Sequence, residues 1–169
     1  MYSATIGCRA QMADLQSSDT VIVFEDRRVL IPLGSDTSCV SLYTVSRDGS
    51  TEYLHRCPMD PTRERQVAIK NASFNSVLRG EELGTAYFDG FKVGQAWSGD
   101  KIIEKGVSDH GKYIIISRND GVRYRLNWFT PNSNHLIEIH YVLDEANFHE
   151  LGGMTELRRF AERVRLFPE

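Results

Sequence analysis

The clearest structural pattern in this sequence is a β-hairpin over residues 113–129, YIIISRNDGVRYRLNWF. An isoleucine-rich run at 113–117 is followed by a polar, glycine-containing turn at 118–121 and by a second run at 122–129. Apolar and polar residues alternate along the second run, which predicts an antiparallel sheet with one buried and one solvated face. The buried face would carry Val122, Tyr124, Leu126 and Trp128, and the solvated face Arg123, Arg125 and Asn127.

Similar β-rich segments recur along the chain, each bounded by a polar or glycine-containing break. Runs at 20–25 and 28–32 predict one hairpin, and runs at 39–46 and 51–57 around the turn at 47–50 predict another. A short strand is expected at 66–70, and the strand at 136–143 is apolar enough to be central in a sheet. Residues 73–94 have a weak pattern with interspersed glycines, so irregular strands and loops are expected there.

One amphipathic helix is predicted near the C-terminus, at about residues 155–165. Leu157, Phe160, Ala161 and Val164 follow the helical spacing there, after a break at two glycines. Many strands with one late helix predict the α+β class, with an antiparallel-rich sheet and few helices. The length of 169 residues favours one domain. We expect a flexible tether over residues 1–18 and a single α+β domain over residues 19–169.

The charge balance argues against one class of partner. The chain has 20 basic and 23 acidic residues, for a net charge of −3, whereas nucleic-acid binding usually calls for a basic surface. No apolar run approaches the roughly 20 residues that span a bilayer. We therefore expect no nucleic-acid partner, and contact with a membrane only through a lipid anchor.

The three cysteines bear on where the protein works. The residues before Cys8, Ala4-Thr5-Ile6-Gly7, resemble the end of a bacterial lipoprotein signal, and the polar residues 9–20 would suit a tether. The charged and apolar regions of a signal peptide are not found in residues 1–7. If Cys8 is lipidated, Cys39 and Cys57 could form a disulfide in an oxidising compartment. This disulfide would close a loop of about 19 residues and stabilise the folded state by ~3 kcal/mol. The alternative is two buried thiols in the cytoplasm.

The sequence contains no motif that specifies a reaction. A G-x-S-x-G nucleophile elbow is missing. Residues 98–101, Ser-Gly-Asp-Lys, match the S-x-x-K spacing of penicillin-recognising enzymes, but without its companion motifs a polar turn is favoured. We expect no catalytic residues and no cofactor.

The histidines do not have the spacing of metal ligands, so no metal site is expected. His135 and His140 would point to opposite faces of the strand at 136–143. Glu138 and His140 would share a face, so the carboxylate could orient the imidazole, although an ordinary cross-strand pair is the alternative. They are the first candidates if the protein is an enzyme.

Two features suit binding to a partner. The glycine-rich stretch with Tyr87, Phe88, Phe91 and Trp97 could present rigid aromatic anchors, and we predict Tyr87, Phe91 and Trp97 as partner-binding residues. The alternative is that these rings belong to the core. The arginine-rich outer side of the final helix is expected to be a solvated surface.

Two resemblances extend this interpretation. In the C-terminal third, the order of hairpin, long strand, glycine break, amphipathic helix and short final strand at 166–167 resembles Mog1/PsbP-like domains. The N-terminal part resembles the start of lipoprotein immunity proteins encoded beside type VI secretion lipase effectors. This second resemblance rests on Cys8, the polar spacer, residues 21–32 with the acidic-basic turn at 25–28, and Cys39.

The second resemblance implies a periplasmic protein, anchored to the outer membrane through Cys8. Such a protein binds an incoming phospholipase-type toxin, its cognate effector, and blocks the active site or the membrane contact of that toxin. We therefore expect a non-catalytic immunity protein that inhibits a toxin by protein–protein interaction. The alternatives are a small-molecule or lipid-binding module and a small enzyme with an unrecognised site. The alternative location is the cytoplasm.

Overall fold

Antiparallel strands form two sheets in this protein. The computed structural model describes residues 19–24, 27–32, 40–45, 51–60, 63–73, 77–118, 121–132 and 135–168. The strands are β1 (Thr20–Phe24), β2 (Arg27–Ile31), β3 (Val40–Val45), β4 (Thr51–Asp60), β5 (Arg63–Ser73), β6 (Ala96–Trp97), β7 (Asp100–Ser108), β8 (Gly111–Arg118), β9 (Arg123–Asn132), β10 (His135–Asp144) and β11 (Arg165–Pro168). The helices are α1 (Gly80–Gly90), α2 (Glu145–Glu150) and α3 (Met154–Arg163).

The larger sheet has the strand order β3-β4-β5-β10-β9-β8-β7-β6. It consists of two meanders, β3 to β5 and β6 to β10, which join where β5 pairs with β10. Ile69 lies opposite Ile139 at this junction. The strand predicted at 136–143 is β10, and its central position between β5 and β9 is confirmed.

The smaller sheet, β1-β2-β11, packs with α2 and α3 over one face of the larger sheet, which we call the first face. Alternate residues of β9 and β10 point into the core between the two sheets, because successive side chains of a strand face opposite ways. The buried aromatic rings there include Tyr141 and Phe160, which stack with centroids 4.1 Å apart. Other fully buried members of this core are Phe24, Ile31, Ile69, Leu126, Trp128, Ile139 and Leu157.

Helix α1 packs against the opposite side of the larger sheet, the second face. Leu83 meets Phe129 and Leu136 in one cluster, while Phe88 and Phe91 cover the isoleucines of β7 and β8. A Cβ atom on Gly84 would lie 3.3 Å from Pro131 Cδ, so a glycine lets the helix approach β9 closely. The helix leaves uncovered the part of the second face that carries Gln66, Arg125 and His140.

The predicted antiparallel α+β fold is confirmed, as are the three predicted hairpins. The predicted C-terminal helix is α3, which begins at Met154. Tyr124, Leu126 and Trp128 of β9 do face the core, but Val122 precedes the strand and is exposed. Asn127, on the other face of β9, is buried as well. The second face is therefore not simply a solvated one.

The expectation of irregular strands and loops over residues 73–94 was wrong, because α1 occupies residues 80–90. Its internal glycine weakened the helical pattern, and contacts with the sheet outweigh that weak propensity. Helix α2 was not predicted; it begins where the Asp144 carboxylate accepts a hydrogen bond from the Asn147 backbone N–H at 2.8 Å. None of the described helices is long and apolar enough to cross a membrane.

Some expectations fall outside what the structure describes. Residues 1–18, with the expected tether and the lipidation site Cys8, lie outside the described residues, and so does Cys39. Cys57 belongs to β4, whose backbone alone is described at that position. The Cys39–Cys57 disulfide therefore stays a prediction.

Candidate functional site

The part of the second face that α1 leaves uncovered contains a polar cleft of about 210 Å³. The cleft crosses the middle of the larger sheet, from β4 to β8, at the end of β9 that lies away from α1. Every second side chain of a strand points to the same face of a sheet, and the side chains of the cleft all lie on one face of neighbouring strands. Three arginines contribute to its wall, so we call it the arginine cleft. Its lining is Glu52, Gln66, Ala68, Arg118, Arg123, Arg125, His140 and Val142.

A buried aspartate, Asp100, lies next to two of these arginines. Asp100 is only 6% exposed, and its Oδ1 lies 2.8 Å from Arg118 Nε, while Oδ2 lies 3.9 Å from Arg125 Nη2. Asp100 also lies directly opposite Arg118 in the β7–β8 register. Ser98 and Gly99 precede it with φ values of 46° and 84°, so the predicted polar turn at 98–101 is confirmed. This tight turn places Asp100 next to Arg118 and Arg125.

Beside the cleft, Glu138 joins three polar side chains on the second face. The carboxylate is 4% exposed and accepts a hydrogen bond from the Tyr87 hydroxyl at 2.7 Å. His140 Nε2 lies 2.9 Å from the other carboxylate oxygen, and Lys70 Nζ lies 3.9 Å from it. Tyr87 comes from α1, so the helix and the sheet build this cluster together.

The surroundings fix the protonation of this cluster at neutral pH. Burial lowers the pKa of His140, and although the hydrogen bond to Glu138 opposes that effect, the imidazole is neutral and donates its Nε2–H. Burial alone would raise the pKa of Glu138, but the bonds from His140 and Tyr87 and the charge of Lys70 hold it below its usual value. Burial, with the adjoining Glu138 carboxylate, raises the pKa of Tyr87 far above its usual value. Glu138 is thus ionised between two neutral donors.

Three buried polar atoms near the cleft have no hydrogen-bond partner within the described part of the chain. They are Arg125 Nε, Asn127 Oδ1 and Asp100 Oδ1, the last of which lies close to Arg118 without the geometry of a hydrogen bond. Asn127 is 6% exposed. Asn127 lies opposite His140 in the β9–β10 register, on the same face as Arg125. An unsatisfied buried polar group costs about 1–3 kcal/mol. The guanidinium of Arg125 and the carboxamide of Asn127 can therefore form hydrogen bonds with a group that enters the cleft.

The structure brings together only some of the residues that the sequence singled out. The contact expected between Glu138 and His140 is present, and His135 lies at an alternate position of β10, facing the other way. Tyr87 was not expected in this cluster, and neither Asp100 nor the arginine cleft was predicted. The alternation around Arg123 and Arg125 is the sequence pattern that could have located the cleft.

The predicted partner-binding aromatics occupy different places. Tyr87 on the inner side of α1 and Phe91 just after the helix are half-buried, with ring centroids 5.0 Å apart in an edge-to-face arrangement. Tyr87 makes a second such contact with Phe129, at 4.9 Å. Trp97 belongs to β6, and its side chain lies outside the described part of the structure. Their role in binding a partner stays a prediction.

The chemistry available here is that of guanidinium groups and a carboxylate-bound imidazole. Guanidinium forks bind carboxylate and phosphate oxygens, and the second ring nitrogen of a neutral histidine can accept a proton. Within the described residues, no group of three or more His, Cys, Asp or Glu side chains could hold a metal ion. No protein-family model and no curated protein matches this chain.

Proposed function

We propose that the protein is a non-catalytic binding protein whose partner docks on the second face of the larger sheet, over the arginine cleft. The observation that supports this proposal most is the set of three arginines, Arg118, Arg123 and Arg125, around one open cleft. Arginine is enriched among the residues that dominate binding energy at protein interfaces, and its planar donors suit acidic groups. A cleft lined mainly by charged and polar side chains does not suit a lipid chain, which needs apolar walls.

The partner we propose is a secreted antibacterial toxin of the phospholipase type, which the protein neutralises in the periplasm. The N-terminal resemblance to immunity proteins of type VI secretion lipase effectors motivates this choice. An immunity protein needs a binding surface complementary to its toxin, and a cationic cleft would meet an acidic region on the toxin surface.

The first test is capture of the partner by the tagged chain from lysate of the source organism, with the partner identified by mass spectrometry. The proposal predicts recovery of a stoichiometric partner encoded next to this protein, with a lipase as the expected class. Recovery of no partner by a folded bait, with the neighbouring protein shown to be present in the lysate, would refute the immunity proposal.

The second test asks whether the partner uses the cleft. Binding of the purified partner is measured by titration calorimetry for the native chain and for Arg125→Gln. We expect the dissociation constant to rise at least about tenfold, which corresponds to about 1.4 kcal/mol. Arg28→Gln is the matched control, because Arg28 is exposed on the smaller sheet, on the other side of the molecule. Equal losses in both variants would argue against docking on the cleft.

A second candidate function is acid–base catalysis on an anionic substrate. The observation that favours it is the 2.9 Å contact between His140 and Glu138, together with the position of His140 in the lining of the cleft. A carboxylate-oriented imidazole is a common general base. The amount of protein needed for protection separates the two functions. A binding protein neutralises the toxin only when it is present in at least equimolar amount, whereas an enzyme protects at substoichiometric amounts and loses that protection in His140→Gln.

A further inference from the structure

We infer that the arginine cleft is a binding site for one oxyanion, a carboxylate or a phosphate group, with Arg125 as its main ligand-binding residue. This inference deepens the proposed function and rests on it for the identity of the partner that carries the anion. Three observations support it, namely the charge balance of the cleft, the unequal engagement of its arginines and its volume.

The lining of the cleft is itself positive, since it carries three guanidiniums and one carboxylate, that of Glu52. Outside the lining, the buried Asp100 contacts Arg118 and Arg125, and Asp144 lies opposite Arg123 in the β9–β10 register. The carboxylate of Glu138 lies next to the cleft, but Lys70 at 3.9 Å offsets its charge. His140, which also lines the cleft, is neutral at pH 7. Partial burial strengthens the attraction of the positive lining for an anion, because solvent screens it less.

The two arginines that contact Asp100 are engaged unequally. Arg118 lies close to Asp100 at 2.8 Å, whereas Arg125 approaches it only to 3.9 Å, beyond hydrogen-bonding distance. Arg125 Nε also has no hydrogen-bond partner within the described residues. Donors of Arg125 are therefore available in the cleft, and an oxyanion would satisfy a buried N–H that otherwise costs free energy. The unpaired Asn127 Oδ1 nearby can accept a donor next to the anion.

The volume fits a small group. A cleft of about 210 Å³ is many times larger than the roughly 10–15 Å³ that admits one water molecule. A carboxylate or a phosphate fits this space together with some of its water. The site is thus sized for one anionic group of a larger partner, or for a free inorganic anion.

Nuclear magnetic resonance of the ¹⁵N-labelled full chain tests the inference directly, because arginine Nε–H groups give their own signals. The chain is titrated at low salt with inorganic phosphate and, separately, with a tetraglutamate peptide, each against sodium chloride of equal ionic strength. We expect a saturable shift of the Arg125 Nε–H signal, with a dissociation constant in the millimolar range for these small probes.

Variants establish the site. Arg125→Gln should weaken binding of the better probe at least about tenfold, and Arg125→Lys should restore it only in part, because lysine keeps the charge without the fork. Arg28→Gln should bind as the native chain does. Dispersion of the amide spectrum checks that each variant is folded, and in Arg125→Gln the contact between Asp100 and Arg118 can remain.

Each outcome has a defined meaning. Tighter binding of the peptide than of phosphate would support the site and identify a protein carboxylate as its ligand; the reverse order would support the site and identify a phosphate group. Shifts no larger than those caused by chloride, or equal binding by Arg125→Gln, would overturn the inference. Anion binding without capture of a protein partner would count against the proposed function alone.

Discussion

His140 connects the two parts of the candidate site, because its ring lines the arginine cleft and contacts the buried Glu138. Burial is the largest influence on the pKa of His140 and lowers it. Among the neighbouring charges, Lys70 and Arg125 also lower this pKa, while Glu138 favours the protonated imidazole. At the scale of single residues, the site is thus a neutral histidine kept next to an ionised carboxylate.

This arrangement predicts a specific loss of stability in mild acid. In the unfolded chain His140 takes up a proton near its ordinary pKa of about 6.5, whereas in the folded protein its pKa is lower. The unfolded state therefore binds more protons as the pH falls below about 6.5, and the free energy of unfolding decreases. We expect this decrease, measured by urea denaturation at pH 7.5 and at pH 5.5, to be smaller in His140→Gln than in the native chain.

The control for this experiment is His149→Gln, which removes an exposed imidazole from α2. The native pH dependence should persist in that variant. If His140→Gln also loses stability between pH 7.5 and pH 5.5 as the native chain does, His140 must bind its proton equally well in the folded and unfolded states. Glu138 stays ionised over the whole range from pH 7.5 to pH 5.5, because its pKa is below its usual value. The measured change in stability therefore does not include protonation of Glu138.

At the scale of elements, α1 depends on the sheet that it covers. The helix has no basic residue in its own last turn, and Lys105 of β7 supplies one instead. Its ammonium group donates to the carbonyl oxygens of Phe88 at 2.6 Å and of Phe91 at 2.7 Å, and it lies 4.1 Å from the Phe88 ring centroid. Phe88 O also accepts the backbone N–H of Phe91 at 3.3 Å, so the ammonium group adds a second, charged bond there and complements the helix dipole.

Replacement of Lys105 by methionine keeps the length of the side chain but removes these bonds. We expect the end of α1 to open more readily, by roughly 1–2 kcal/mol, because hydrogen bonds to charged groups contribute about that much. Amide hydrogen exchange should show about tenfold faster exchange in the last turn of α1.

The variant Lys92→Met is the comparison for this prediction. Lys92 is exposed just after the helix, so the same substitution there should leave exchange in α1 unchanged. Faster exchange in both variants would indicate that a nearby positive charge matters more than the two bonds from Lys105.

Helix α1 also shows where prediction from the sequence ended. Its inward side carries Leu83, Gly84, Tyr87 and Phe88, which is a helical pattern only if the glycine counts as buried. A glycine inside a helix costs about 1 kcal/mol relative to alanine, so local propensity favoured a loop. Contact with Pro131 and with the aromatic residue Phe129 decides the conformation, and such tertiary contacts cannot be read from the segment itself.

At the scale of the whole molecule, strands were predictable because their two-residue alternation is local, whereas the site depends on pairing between distant segments. Glu138 and His140 are two apart on one strand, so their contact could be foreseen. Asp100 meets Arg118 only through the β7–β8 register, and β7 was not predicted. Tyr87 reaches Glu138 across 51 positions of the chain, from a helix that the sequence did not reveal.

The smaller sheet gives a prediction at this scale. Strand β11 completes it by pairing with β2, where Leu166 lies opposite Val29 and packs against the main core. Removal of residues 165–169 takes away this pairing and exposes the apolar surface of β2. We expect the free energy of unfolding to fall by on the order of 3 kcal/mol or more, as measured by urea denaturation followed by circular dichroism.

A graded variant makes this test sharper. Leu166→Ala leaves the backbone of β11 in place and should cost less than the truncation, about 1–2 kcal/mol for a partly buried side chain. An unfolding midpoint that is the same for the truncated and native chains would mean that β1 and β2 are held by the larger sheet and the helices alone.

The position of β11 also has a consequence for the order of folding. In the smaller sheet Leu30 pairs with Arg165, which lies 135 positions further along the chain. Phe24 and Ile31 likewise pack with Phe160 in the finished core, so they lack these neighbours until distant segments of the folding chain have met. Pairings of such long sequence separation form slowly, and the apolar surface exposed in the meantime attracts chaperones. Closure of the smaller sheet is therefore a late step in folding.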